Sequence, residues 1–158
     1  MKRIMTFLTI LFCVVFMATS AMATWTITIS TVRKSDNYVW FDALCTSDGA
    51  ALTATNILSS TYMGFAKDVQ GSTLMLLYVS PGTAGVAPDN TFNITLTDDL
   101  GATIWADTTI SNVAGSWHKM YEDLGPFPPI LDELNLAISD IGTAGDQVTL
   151  RFILWAEK

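Results

Sequence analysis

Cysteine, histidine and charge are all scarce in this sequence. Its 158 residues hold two cysteines and one histidine, and Asp, Glu, Lys and Arg together make up 15%. Cys13 lies in an N-terminal apolar run, which leaves Cys45 without an intrachain partner, so packing rather than disulfides must hold the fold. Cys45 reads as a small buried apolar residue. Zinc sites need short-spaced Cys and His pairs, and the sequence has none, so no cofactor or metal is expected. A nucleophilic triad would have to be built on His118, beside which no nucleophile motif is recognisable.

Positive charge is the scarcer sign. Eight Lys and Arg stand against fifteen Asp and Glu, a formal net charge of −7, and two of the cations, Lys2 and Arg3, lie at the extreme N-terminus. A basic patch for nucleic acid is therefore not expected. The carboxylates form no catalytic pair either. Neighbours in a strand point to opposite faces, which separates Asp132 from Glu133, and Asp98-Asp99 belongs with Gly101 to a tight reversal. Pro81-Gly82-Thr83-Ala84-Gly85 lacks the lysine and following helix of a phosphate loop. The sequence points away from an enzyme.

What the sequence does have begins with Lys2 and Arg3, an apolar run from Ile4 to Met17, and small residues at Ala21 and Ala23. That order of basic, apolar and small zones is a signal peptide over residues 1–23, with Ala21 and Ala23 marking the cleavage site, and the run is too short for a permanent membrane anchor. The expected location is secreted or periplasmic. A translation start at Met22 would instead remove the export signal.

Residues 24–158 read as one all-β domain. Apolar residues recur with the period of two that strands require in Phe92-Ile94-Leu96, Leu134-Leu136-Ile138 and Val148-Leu150-Phe152-Leu154, and Trp25-Ile27-Ile29 alternates in the same way. Tyr38 to Leu44 is aromatic-rich without clear parity, and Leu74 to Val79 is continuously apolar. Ser47-Asp48-Gly49, Pro81-Gly82, Pro88-Asp89-Asn90, Asp98 to Gly101 and Asp140-Ile141-Gly142 punctuate the strands. This spacing predicts a single antiparallel β-sandwich or barrel-like domain. One short helix is expected from Trp117, Met120, Tyr121 and Leu124, before Gly125-Pro126 and the stiff Pro128-Pro129 crossover. Ile57 to Asp68 fits either a short helix or an irregular strand.

One stretch resembles a known family. Ser80-Pro81-Gly82-Thr83-Ala84, Ala87-Pro88-Asp89-Asn90 and Phe92-Asn93-Ile94-Thr95-Leu96-Thr97-Asp98-Asp99-Leu100-Gly101-Ala102 resemble small structural proteins of tailed bacteriophages. Leu134 to Ser139, the turn from Gly142 to Asp146 and Val148 to Trp155 are similar to the closing hairpin of those proteins. The resemblance implies a non-enzymatic β-sandwich component of a phage head or tail, working through contacts with itself or a larger protein assembly. A start at Met22 would then place the chain in the virion. The expected contacts are Leu74, Leu76 and Tyr78, with Trp105 and Trp155. A second class is a secreted binding module for surface glycan or adhesion, in which Trp25, Trp40 and Trp117 would form a flat platform for sugar rings.

Overall fold

The computed structural model describes residues 24–59, 69, 71–83, 85–120, 130 and 133–155. The expected signal peptide with Ala21 and Ala23, the segment 60–68 and the proline-rich segment 121–129 lie outside the described residues. Among those described, the elements are all strands: β1 (Thr26–Lys34), β2 (Tyr38–Asp48), β3 (Leu52–Asn56), β4 (Thr73–Pro81), β5 (Phe92–Thr97), β6 (Thr103–Ile110), β7 (Ser116–Lys119), β8 (Asn135–Ser139) and β9 (Ala144–Trp155). They form a five-stranded antiparallel sheet in the order β1-β2-β9-β4-β7 and a four-stranded antiparallel sheet in the order β3-β8-β5-β6. Among the described residues no helix is long and apolar enough to cross a membrane.

The alternation seen in the sequence becomes two faces per sheet. Val39, Phe41, Ala43 and Cys45 of β2, Leu74, Leu77 and Val79 of β4, and Val148, Leu150, Phe152 and Leu154 of β9 point inward from the larger sheet. Phe92, Ile94 and Leu96 of β5, Leu136 and Ile138 of β8, and Trp105 and Ile110 of β6 meet them from the smaller one. Phe41 and Phe152, cross-strand partners, stack at 4.8 Å between ring centroids and 18° between planes. Together these side chains form one buried cluster, so the sheets cannot be separated without exposing the whole core.

The turn chemistry is as the sequence suggests. Asp98 Oδ1 accepts hydrogen bonds from the backbone N–H groups of Leu100 (3.0 Å) and Ala102 (2.7 Å), which closes the β5–β6 hairpin. At the opposite end, Asp146 accepts from the Thr143 N–H at 2.8 Å, and Gly142 adopts φ +107° where an added Cβ would lie 2.6 Å from Asp146 Oδ2.

The helix expected from Trp117 onward is not what its first residues form. Ser116–Lys119 is strand β7, in register with Leu76–Val79 of β4. Trp117 pairs with Tyr78 on the outside of the sheet; Met120, the residue after the strand, is helical and buried, and Tyr121 and Leu124 lie outside the described residues. Edge-strand hydrogen bonding to β4 outweighs the local pattern.

Candidate interaction surface

The strand register gathers the aromatic residues on one face. Because β2, β9, β4 and β7 pair side by side, their outward residues form rows across the larger sheet. The first row runs Tyr38, Trp155, Thr73; the next Trp40, Ile153, Leu76, Lys119; the third Asp42, Arg151, Tyr78, Trp117. Each row includes at least one aromatic ring. Tyr38 and Trp155 meet edge to face at 4.8 Å, and Tyr78 and Trp117 lie 4.7 Å apart. Trp117 is 53% exposed and Tyr38 39%, while Trp40, Leu76, Tyr78, Ile153 and Trp155 are partly exposed. A sheet face with this many large apolar side chains open to solvent is unusual for an isolated domain.

The pair of Asp42 and Arg151 stands in this apolar field. Arg151 donates to Asp42 through Nε–Oδ1 at 2.7 Å and Nη2–Oδ2 at 2.8 Å, a two-pronged contact between neighbouring strands. The hydrogen bond to Asp42, reinforced by its charge, raises the Arg151 pKa and fixes the guanidinium beside Tyr78. Gly115 fits the same arrangement from below: an added Cβ would overlap the Tyr78 ring, with Cζ at 2.7 Å. Glycine there lets the ring lie over the turn into β7.

Of the residues expected to form subunit contacts, Leu76, Tyr78 and Trp155 sit on this face. Leu74 and Trp105 do not: Leu74 is 0% exposed and Trp105 3%, both committed to the core. The continuous apolar run from Leu74 to Val79 conceals the distinction, because a bulge at Met75 lets β4 turn Leu74, Leu77 and Val79 inward and Leu76 and Tyr78 outward. Of the three tryptophans expected to form a glycan platform, Trp40 and Trp117 join the same face. Trp25 stands apart, just before β1, its indole N–H donating to the Ala50 carbonyl at 2.8 Å. Tyr38, Ile153 and the Asp42–Arg151 pair were missed by sequence reasoning. The alternation of Arg151, Ile153 and Trp155 against buried Phe152 and Leu154 carried the signal.

His118 has a structural setting that the sequence does not show. Its Nε2 lies 2.8 Å from Ser116 Oγ, its Nδ1 3.7 Å from Asp107 Oδ2, and its ring 4.8 Å from that of Trp105. Ser116 and His118 point inward from β7 at the edge of one sheet, and Asp107 and Trp105 belong to β6 at the edge of the other. The trio thus bridges the seam between the sheets. It has the residue types of a hydrolytic triad, but the Nδ1–Oδ2 separation exceeds hydrogen-bond length. Ser116 also lies in a regular ladder strand, without the sharp turn that exposes a nucleophile. Cys45 is 0% exposed, and burial pushes its thiol up to about 12. No group of three or more His, Cys, Asp and Glu among the described residues could hold a metal ion.

Comparisons with family models, with curated proteins and with solved structures find no match for this chain.

Proposed function

We propose that the protein is a non-enzymatic structural component that docks through the outer face of its five-stranded sheet onto copies of itself or a larger protein assembly. The observation that carries this reading is the convergence of Tyr38, Trp40, Leu76, Tyr78, Trp117, Ile153 and Trp155 on one open surface. Large aromatic and aliphatic side chains around a fixed arginine are the composition of an interface centre, where shape and apolar burial supply the binding energy. The chain's similarity in turn and strand residues to phage head and tail components favours a virion-like decoration or assembly role. The leader-like N-terminus favours export, and a start at Met22 would direct the product to the virion instead.

A secreted glycan-binding module is the second reading, favoured by Trp40 and Trp117 lying on the same exposed sheet face. Two variants separate the readings. Y78D places a charge within the aromatic rows and should abolish incorporation into assemblies while the domain still melts cooperatively. W117A should leave a folded domain whose response on a glycan array matches that of the unmodified protein. Loss of glycan signal in W117A, with assembly retained in Y78D, would overturn the structural reading in favour of the binding module.

A further inference from the structure

The four sheet edges among the described strands differ in how well they are closed to pairing. β7 is four residues long. β3 has a register shift between Leu52 and Thr55. β6 has two shifts in its pairing with β5 and carries Asp107, which meets His118 across the seam. Such short, bulged or charged edges resist adding a further strand. β1 has none of these features over its first half. It runs nine residues, stays in unbroken register with β2 from Thr26 to Ser30, and carries no charge before Arg33. Thr26, Thr28 and Ser30 are exposed.

The sequence of this edge is complementary to itself. In an antiparallel pairing centred on Thr28, Thr28 meets its own copy, Ile27 meets Ile29, and Thr26 meets Ser30. Ile27 and Ile29 both face the core side, where Ile29 is only partly buried, so the partner's isoleucines would extend each core across the seam. The threonines and serines would pair on the outer side. Charges fit as well. The bulge between Ser30 and Arg33 ends the straight segment, and Arg33 of the two copies would stand about 30 Å apart at strand spacing, well beyond screening distance.

We propose that β1 is the seam of a two-fold dimer, in which Thr26–Ser30 pairs antiparallel with the same segment of a second copy. The two larger sheets then become one ten-stranded sheet. Their aromatic outer faces lie on the same side, continuous with each other, so a large assembly engages both copies at once. The seam uses residues distinct from the outer face and stands whether or not that face has the role assigned to it.

The test is disulfide trapping in the full chain with Cys13→Ser, leaving Cys45 in place because it is buried. Single cysteines are introduced at Thr26, Thr28, Ser30 and, as a control edge, Thr103, and each protein is oxidised and run without reductant. T28C is expected to give a covalent dimer, T26C and S30C alone none, and a mixture of T26C and S30C chains a dimer again. T28K, which sets two ammonium groups face to face on the axis, is expected to halve the sedimenting mass of the otherwise unsubstituted protein while each subunit still melts cooperatively, at a temperature that no longer depends on protein concentration. Y78D added to T28C should leave the crosslink intact, which separates failure of the seam from failure of the outer-face reading. The proposal is overturned if T28C crosslinks no more than T103C, if T26C alone crosslinks as well as T28C, or if T28K sediments like the unsubstituted chain.

Discussion

Asp42 and Arg151 face each other across β2 and β9 and are joined by two hydrogen bonds of 2.7 and 2.8 Å, in the same row of the outer face as Tyr78 and Trp117. The Asp42 side chain is 11% exposed and that of Arg151 44%, so the carboxylate depends on its partner more than the guanidinium does. Removing arginine strands a largely covered carboxylate, whereas removing the aspartate leaves an arginine that can reach water. R151A should cost about 1–3 kcal/mol of stability. D42A should cost less, and a double-mutant cycle by urea denaturation should return a coupling of about 1 kcal/mol, because solvent reaches the pair from the arginine side.

Gly115 sets the position of Tyr78. A methyl group there collides with the far end of the ring, which must swing away from Trp117. G115A should lower stability by about 1–3 kcal/mol and change the aromatic circular dichroism. A variant with unaltered aromatic signal would show that Tyr78 does not rest on this glycine.

The Cys45 thiol ionises only near 12 in the folded protein, well above the usual thiol range, because burial disfavours the thiolate. The folded state therefore keeps a proton that the unfolded state gives up. The resulting stabilisation is fully present below the unfolded thiol's pKa and is lost as pH rises from there through about 12. Native protein at pH 8 should react with a disulfide reagent only at the rate of unfolding, and denatured protein at once. Rapid labelling of native protein would place Cys45 outside the core.

Much of the architecture was legible because strands with one buried face write their orientation into alternate residues. β5, β8 and β9 are of this kind, and the Asp–Gly turns bounded them. The candidate surface was less legible. In β4 and the first half of β2 both faces carry large apolar residues, so composition does not separate core from exterior. Leu74, sealed inside, is thus not distinguished from Leu76 in the same strand, while Trp105 of β6 is turned inward by its pairing with buried Leu96. The third row across the sheet joins residues as distant in sequence as Asp42 and Arg151, and only strand order brings them together. β7 is four residues long, too short for a period of two to outweigh a helical reading of the same side chains.

Ser116 and His118 offer a direct check on the proposed non-enzymatic role. With Nδ1 3.7 Å from Asp107 and Ser116 held in a ladder, the hydroxyl should not be activated. A fluorophosphonate probe should leave Ser116 unlabelled in native protein. Stoichiometric labelling that is lost in H118A would instead indicate a working nucleophile.

The outer face is tested most directly by following where the protein goes in its source cells. Wild type and Y78D would each be quantified by mass spectrometry, through their N-terminal peptides, in cytoplasmic, envelope, supernatant and purified-particle fractions. The account predicts that wild type concentrates in a high-mass particle fraction while Y78D, folded and equally abundant, remains as free subunits. Equal recovery of both in particles, or wild type found only as free subunits, would contradict it.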